Sequence, residues 1–212
     1  MNGTICLQGG AEFGRLCVDM DAELLDRTPP GDVVILAGAA APGREYDVAT
    51  ANAVRYYSRL TQRTVVAVDD PRNDPAVFVD AARSASLLVL PGGSPRRLLD
   101  VLMGDVLQAL IGVLERGGTV SGASAGAMVL CAYTAVPGAG VTDGLGLVPG
   151  VAIPHFDGSN WWDIDLPGDV PRWGLPECGG VVFRSGSVSA IGAAGAQRLE
   201  GGRVTIVERP AS

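Results

Sequence analysis

The sequence predicts an α/β protein of one domain, 1–212, with three layers: helices cover both faces of a mostly parallel, doubly wound sheet. Short apolar runs alternate with helical segments throughout the first half of the chain, and most runs end in a glycine-rich turn. Strands that alternate with helices form parallel sheets with right-handed crossovers. The hydrophobic fraction of 47% suits a sheet buried on both faces, and 212 residues fit one domain.

Each element of this half follows from a local signal. Apolar runs predict strands over 4–8, 32–36, 64–68 and 86–90, and a further strand ends at the turn that begins with Gly122. Helical periodicity predicts helices over 19–27, 45–60, 75–83, 96–103 and 106–116. Asp74 is the expected N-cap of the third helix, with Pro75 in its first turn. The glycine-rich turns lie at the carboxyl ends of the strands, where such sheets bind ligands.

The second half of the chain has weaker signals. It predicts a loop over 135–150 and an irregular segment over 159–173. Short strands are expected over 151–153, 181–183, 187–191, 197–199 and 204–207. We expect these strands to form an antiparallel edge near the C-terminus of the same domain.

Composition limits the partners of the protein. The formal net charge of -7 argues against a nucleic-acid partner, because phosphate binding needs a basic surface. The sequence lacks the run of about 20 apolar residues that a membrane-spanning helix requires. The N-terminus enters a strand without a basic, secretory-type segment, which predicts a cytoplasmic location. A homodimer is one assembly that the sequence allows.

Four cysteines offer no obvious metal or redox site. Cys6, Cys17, Cys131 and Cys178 show no C-x-x-C spacing, and the chain has one histidine. We therefore expect small buried side chains or free thiols, as in a reducing compartment. Neither G-x-G-x-x-G nor the phosphate-binding G-x-x-x-x-G-K-[ST] pattern occurs. The sequence thus predicts no metal and no cofactor.

The strongest chemical signal is the segment 122–126, which fits the G-x-S-x-G nucleophile elbow. In this motif a strand turns sharply into a helix and exposes the hydroxyl of its central serine, here Ser124. The N–H of Ala125 would then face a developing oxyanion. The second oxyanion donor is expected at a neighbouring strand end, and the glycines of the turn over 90–93 suit this role because they lack a side chain.

A serine nucleophile needs a base, and the choice is narrow. The 16 basic residues are all arginine, which excludes a Ser-Lys pair, and His155 is the one imidazole. The imidazole in turn needs a carboxylate to orient it. Asp157, Asp143 and Glu177 are candidates, and the residues alone leave the choice among them open.

The order of these motifs resembles the serine peptidases of the aspartyl dipeptidase (peptidase E) and cyanophycinase family. The resemblance spans nearly the whole chain and is carried by the segments 7–10, 90–94, 122–127, 145–149, 154–156 and 174–177. It implies a sheet like that of the class I glutamine amidotransferases. It also implies a Ser124–His155–Glu177 triad with Gly93 and Ala125 as the oxyanion hole, and it leaves Asp157 as the alternative acid.

The resemblance implies hydrolysis of small peptides through an acyl-enzyme, with a preference for aspartyl residues or a cyanophycinase-like specificity. Two alternatives keep the same fold: an amidase or acyltransferase acting on another substrate, and a catalytically silent binding or accessory protein.

The chain departs from the family at two places near the expected substrate. Ser94 follows the glycines where the family usually has Asn or Asp, and the segment between His155 and the 174–177 motif is short and rich in tryptophan. Ser94, Arg172 and Trp173 are therefore candidate substrate-binding residues. The remaining candidates in this region are Arg96 and Arg97 for an acidic substrate and Trp161 and Trp162 for packing.

Overall fold

The first half of the chain alternates strands and helices in the computed structural model, which describes residues 2–136, 138–159 and 164–210. The strands are β1 (Thr4–Gln8), β2 (Asp32–Ile35), β3 (Val65–Ala67), β4 (Ala85–Leu90) and β5 (Thr119–Ala123). The helices are α1 (Val18–Arg27), α2 (Arg44–Leu60), α3 (Pro75–Ala82), α4 (Pro95–Val101), α5 (Gly104–Glu115) and α6 (Ala125–Leu130). Asp74 caps α3 by accepting from the N–H of Ala76, as predicted.

These strands form the centre of a seven-stranded sheet. Its order is β11-β10-β1-β5-β4-β2-β3, where β10 (Gly180–Arg184) and β11 (Ser187–Ile191) form an antiparallel edge. The other neighbouring pairs are parallel. This arrangement is the predicted fold class.

Helices cover both faces of this sheet. Neighbouring residues on β4 point to opposite faces: Leu87 packs with α1 and α2, whereas Leu88 packs with α3 and α5. The main sheet is thus buried on both sides, which explains its continuous apolar strands.

The second half of the chain forms a further, six-stranded sheet that the sequence did not predict. Of the strands expected at the antiparallel edge, those at 151–153, 197–199 and 204–207 lie in this second sheet instead. Its order is β13-β12-β9-β8-β6-β7. The strands are β6 (Cys131–Val136), β7 (Gly140–Asp143), β8 (Val148–Ile153), β9 (Arg172–Gly174), β12 (Gln197–Glu200) and β13 (Arg203–Ile206). The predicted loop over 135–150 is wrong, because β6 and β7 form a hairpin there and β8 follows. Since β7 is largely exposed and rich in turn residues, it lacks the apolar alternation that predicts a strand.

The cysteines also differ from the prediction. Cys17 and Cys178 form a disulfide with a Cα–Cα distance of 4.7 Å, although 161 positions separate them in sequence. Pairing of β10 with β1 brings the two segments together, and no local spacing indicates it. Cys6 and Cys131 are buried free thiols as expected, and burial raises the pKa of each to about 12.

Within the described residues, each helix is too short or too polar to span a membrane.

Candidate active site

Ser124 lies at the tight turn between β5 and α6. Its backbone is left-handed, with φ 49° and ψ -109°, a conformation that non-glycine residues rarely adopt outside special sites. The two glycines of the motif allow the strand and helix to approach. A Cβ on Gly122 would lie 2.4 Å from the carbonyl carbon of Gly126, and one on Gly126 would lie 2.2 Å from the Leu90 oxygen. The local sequence therefore forms the expected nucleophile elbow.

The second sheet supplies His155 and Glu177. β8 and β9 are parallel neighbours, with Ile153 opposite Gly174 at their carboxyl ends. His155 follows β8 by two residues and Glu177 follows β9 by three. Parallel strands that end side by side carry the residues after them to the same edge of the sheet. The imidazole and the carboxylate consequently lie together.

The three side chains form a hydrogen-bonded series. Ser124 Oγ lies 3.1 Å from His155 Nε2, and His155 Nδ1 lies 3.3 Å from Glu177 Oε1. The matching tautomer has the serine hydroxyl donating to Nε2 and the Nδ1–H donating to Glu177. Side-chain exposures of 53% for His155 and 62% for Glu177 show that this pair faces solvent. A nucleophile, a base and an orienting acid would need contacts of this kind.

Consecutive carbonyl groups at the end of β1 hold the segments that carry these residues. Gln8 O accepts from the N–H of Ser124 at 3.0 Å, and Gly9 O accepts from that of His155 at 2.9 Å. Gly10 O accepts from the N–H of Cys178 at 3.2 Å, next to Glu177. A Cβ on Gly10 would lie 2.3 Å from His155 Cε1, so this position requires glycine. The sequence indicated a glycine turn here, but not these contacts.

Gly93 and Ala125 flank the serine as candidate oxyanion donors. Ala125 is the first residue of α6, so its N–H lies outside the helical hydrogen-bond pattern. Gly93 lies with Ser124 and His155 along one cavity of about 480 Å³.

Glu12 is a site residue that the sequence analysis missed. Its Oε1 accepts from the N–H of Gly92 at 2.8 Å, immediately before Gly93. A Cβ built on Gly92 would lie near both Glu12 Oε1, at 2.6 Å, and Ser124 Cβ, at 3.2 Å. No spacing in the sequence connects Glu12 with a turn 80 residues away.

The alternative acids have other surroundings. Asp157 Oδ1 accepts from the backbone N–H and the hydroxyl of Ser159, at 2.9 and 3.0 Å. Asp143 is exposed at the end of β7, opposite Tyr133. Of the three candidate carboxylates, Glu177 is the one within 4 Å of the His155 ring among the described residues.

The burial of Trp173 does not fit the substrate-binding role predicted for that residue. It is 2% exposed, and its indole N–H donates to the Pro149 carbonyl at 2.8 Å. Its ring packs edge-on against Phe183, and Arg198 lies over one face. Trp173 therefore belongs to the core, and this burial argues against a contact with a substrate. Trp161 and Trp162 lie outside the described residues.

The other candidate substrate contacts are used within the protein. Ser94 caps α4, with its hydroxyl accepting from the N–H of Arg97 at 3.3 Å. Arg172 donates to the Ile164 carbonyl at 3.2 Å. The exposed side chains of Arg96 and Arg97 pair with Asp100 and Glu45, both at 3.7 Å. Across the described ranges, no group of three His, Cys, Asp or Glu side chains is arranged to hold a metal ion.

Fold and site together are those of an α/β protein with a serine at a strand–helix elbow of a mostly parallel sheet. Residues 37–163 match the model of peptidase family S51, which is more than half of the chain, and the chain belongs to that family. Membership of this family supports a serine peptidase. The comparison with curated proteins returns no match.

Two solved structures share the fold. One is a peptidase from an acI-B1 actinobacterium, with a TM-score of 0.80 and 23% identity, covering 100% of this chain and 96% of that one. The other is a peptidase E-like protein from Listeria monocytogenes EGD-e, with a TM-score of 0.62 and 13% identity, covering 90% of this chain and 98% of that one. Both confirm the predicted fold class.

Proposed function

We propose that the protein is a serine peptidase that hydrolyses small peptides through an acyl-enzyme on Ser124. The observation that carries the proposal is the hydrogen-bonded series from Ser124 Oγ through the His155 ring to Glu177. His155 is the general base and acid, and Glu177 is the orienting carboxylate. Gly93 and Ala125 donate to the oxyanion.

The reaction has two halves. Ser124 Oγ attacks the peptide carbonyl carbon while its proton passes to His155 Nε2, and Glu177 stabilises the resulting imidazolium through Nδ1–H. The proton then moves to the departing amine as the C–N bond breaks, which leaves an ester on Ser124. Water next gives a proton to Nε2 and adds to the ester carbonyl. The C–Oγ bond breaks, the acid leaves, and Oγ regains its proton.

A fluorophosphonate probe tests the nucleophile directly. We expect the folded protein to gain one adduct, located on Ser124 by mass spectrometry of the digest. Ser124→Ala should remain unlabelled while keeping the same circular dichroism spectrum. A folded wild-type protein without an adduct would contradict the proposal. Such a result would favour the catalytically silent binding protein.

Paired isosteric variants test the third member of the triad. Glu177→Gln should lower kcat by at least about 100-fold, because the amide cannot stabilise the imidazolium. Asp157→Asn should retain activity within about threefold, because most surface substitutions have small effects. The measurement is kcat from steady-state kinetics, with the dipeptide that the wild-type protein hydrolyses fastest as substrate. If only the asparagine variant loses turnover, Asp157 is the acid.

A dipeptide panel tests the substrate class. We expect turnover of unblocked dipeptides, and the family resemblance makes Asp-X peptides and cyanophycin-like substrates the first to include. Labelling of Ser124 without turnover of any peptide would favour the amidase or acyltransferase alternative.

A homodimer and a cytoplasmic location belong to the same proposal.

We also propose that residues 1–212 act as one hydrolase domain. One core cluster includes Leu7 and Val120 of the first sheet and Ala152 and Trp173 of the second. A shared core is expected of a single folding unit.

A further inference from the structure

The cavity beside Ser124 has an apolar lining. About 480 Å³ lies between the elbow, the β6–β7 hairpin and the segment after β8. This volume is within the range of small-molecule sites. The side chains that form its apolar part are Pro95, Met128, Ala135, Val136, Pro154 and Ile164. Because Ser124 and His155 line the same cavity, a group bound there would adjoin the bond being cleaved.

The charges around the cavity do not favour an acidic group. Among its described lining residues, His155 is the one that can become positively charged. Two arginines that the sequence analysis singled out have partners within the protein and are not among the lining residues: Arg97 faces Glu45, and Arg172 donates to the main-chain carbonyl of Ile164. Two carboxylates, Glu12 and Glu177, flank the serine and the imidazole. A substrate carboxylate would lose water here without gaining a cationic partner, which is unfavourable.

We propose that this cavity receives an apolar side chain next to the scissile bond, so that the preferred substrates carry leucine-, methionine- or phenylalanine-like residues rather than aspartate. This inference rests on the proposed function. Burial of an apolar side chain against the lining removes nonpolar surface from water on both partners. The same site gives an aspartyl side chain neither a hydrogen-bond donor nor an ion pair from its described lining side chains, apart from the catalytic groups.

Two dipeptide series test the preference on each side of the bond. In X-Ala and Ala-X, X is Leu, Phe, Asn or Asp, and kcat/KM is measured for the wild-type protein. We expect Leu or Phe to exceed Asp by at least about tenfold in one series, since matched apolar contacts give discrimination of this size. Asparagine separates the effect of charge from that of shape. Equal rates, or a preference for Asp in both series, would overturn the inference.

A matched pair of arginine variants tests the location of the preference. Ile164 lines the cavity and is partly exposed, so Ile164→Arg adds a cation there. Ile206, which is 77% exposed on β13, is the control position for the same change. Ile164→Arg should lower the Leu-to-Asp ratio of kcat/KM by at least about tenfold. Ile206→Arg should leave the ratio unchanged. Equal ratios in two labelled variants would overturn the assignment.

The fluorophosphonate probe separates the two levels of failure. Labelling of Ser124 together with an aspartyl preference would overturn this inference while keeping the proposed function. Absence of both labelling and turnover would overturn both. If Ile164→Arg is not labelled, because it is misfolded or because the arginine blocks the probe, the wild-type dipeptide series decides the question alone.

Discussion

At the scale of the residue, main-chain groups do much of the work of assembling the candidate site. The carbonyls of Gln8, Gly9 and Gly10 accept from three segments that are distant in sequence. Because every residue has a main-chain carbonyl, no pattern of side chains in the sequence predicts which carbonyls accept these hydrogen bonds. The signal that the sequence does give is the glycine at position 10, where any side chain would collide with the His155 ring.

Glu12 is expected to act as a positioning residue. Glu12→Ala removes the acceptor for the Gly92 N–H and should lower kcat by about tenfold, less than outright removal of an oxyanion donor. Glu12→Gln keeps an oxygen acceptor and should restore kcat to within about threefold. KM should change little in either variant. A larger effect on KM than on kcat, or no rescue by glutamine, would contradict a positioning role.

At the scale of the element, the two sheets divide the site between them. The first sheet presents Ser124 at the end of β5, and the second presents His155 and Glu177 after β8 and β9. The segment from the end of β1 to Cys17 joins them, through backbone hydrogen bonds and the disulfide to Cys178. Any loosening of this segment should therefore lower the stability of the protein and shift Glu177, the proposed acid.

Loss of the disulfide tests this coupling. Cys17→Ala/Cys178→Ala should lower the free energy of unfolding by about 2–5 kcal/mol, because the crosslink closes a long loop in the unfolded chain. Urea unfolding with and without reductant provides the measurement. The variant should also react more slowly with the fluorophosphonate, since Glu177 precedes Cys178.

Reductant provides the control for the disulfide prediction. Reductant should lower the free energy of unfolding of the wild-type protein and should not change that of the double variant. Thiol titration of the unfolded wild-type protein should give two free thiols before reduction and four after it. If the wild-type protein already has four free thiols before reduction, and reductant does not change its free energy of unfolding, the coupling is contradicted. This disulfide contradicts the expected free thiols of a reducing compartment for Cys17 and Cys178, because such crosslinks persist in oxidising compartments.

At the scale of the whole molecule, a buried acid links stability to pH. Asp21 is 1% exposed and accepts from Gln8 Nε2 at 2.9 Å and Tyr56 Oη at 2.8 Å. Burial raises the pKa of its carboxyl above the ordinary value of 3.8, although these hydrogen bonds oppose the shift. The folded state thus binds this proton more tightly than the unfolded state.

Asp21→Asn tests this linkage. A raised folded-state pKa gives stability that is complete below the unfolded value and is lost as pH rises through the folded value. The stability of the asparagine variant relative to wild type should therefore increase as pH rises from the unfolded pKa, about 4, through the raised folded pKa, by about 1.4 kcal/mol per unit of pKa difference. Denaturant unfolding of both proteins at each pH gives this difference. A difference that does not change with pH would contradict the shift.

The sequence by itself determined the parallel α/β sheet and the elbow at Ser124, and it left His155 as the one imidazole available to a proposed base. These features depend on short-range signals: apolar runs, helix caps, a five-residue turn motif and the presence of one imidazole. Parallel strands also carry their carboxyl ends to one edge, so the position of the site in the fold followed from strand order.

Only the tertiary structure decided which carboxylate meets the imidazole, which cysteines join and what lines the cavity. Glu177 reaches His155 because β8 and β9 are neighbours, and β9 is a three-residue strand without a pattern of its own. Cys17 and Cys178, like Glu12 and Gly92, lie far apart along the chain. Contacts of this kind depend on how segments distant in sequence pack together, and the local conformational preferences of the residues do not predict them.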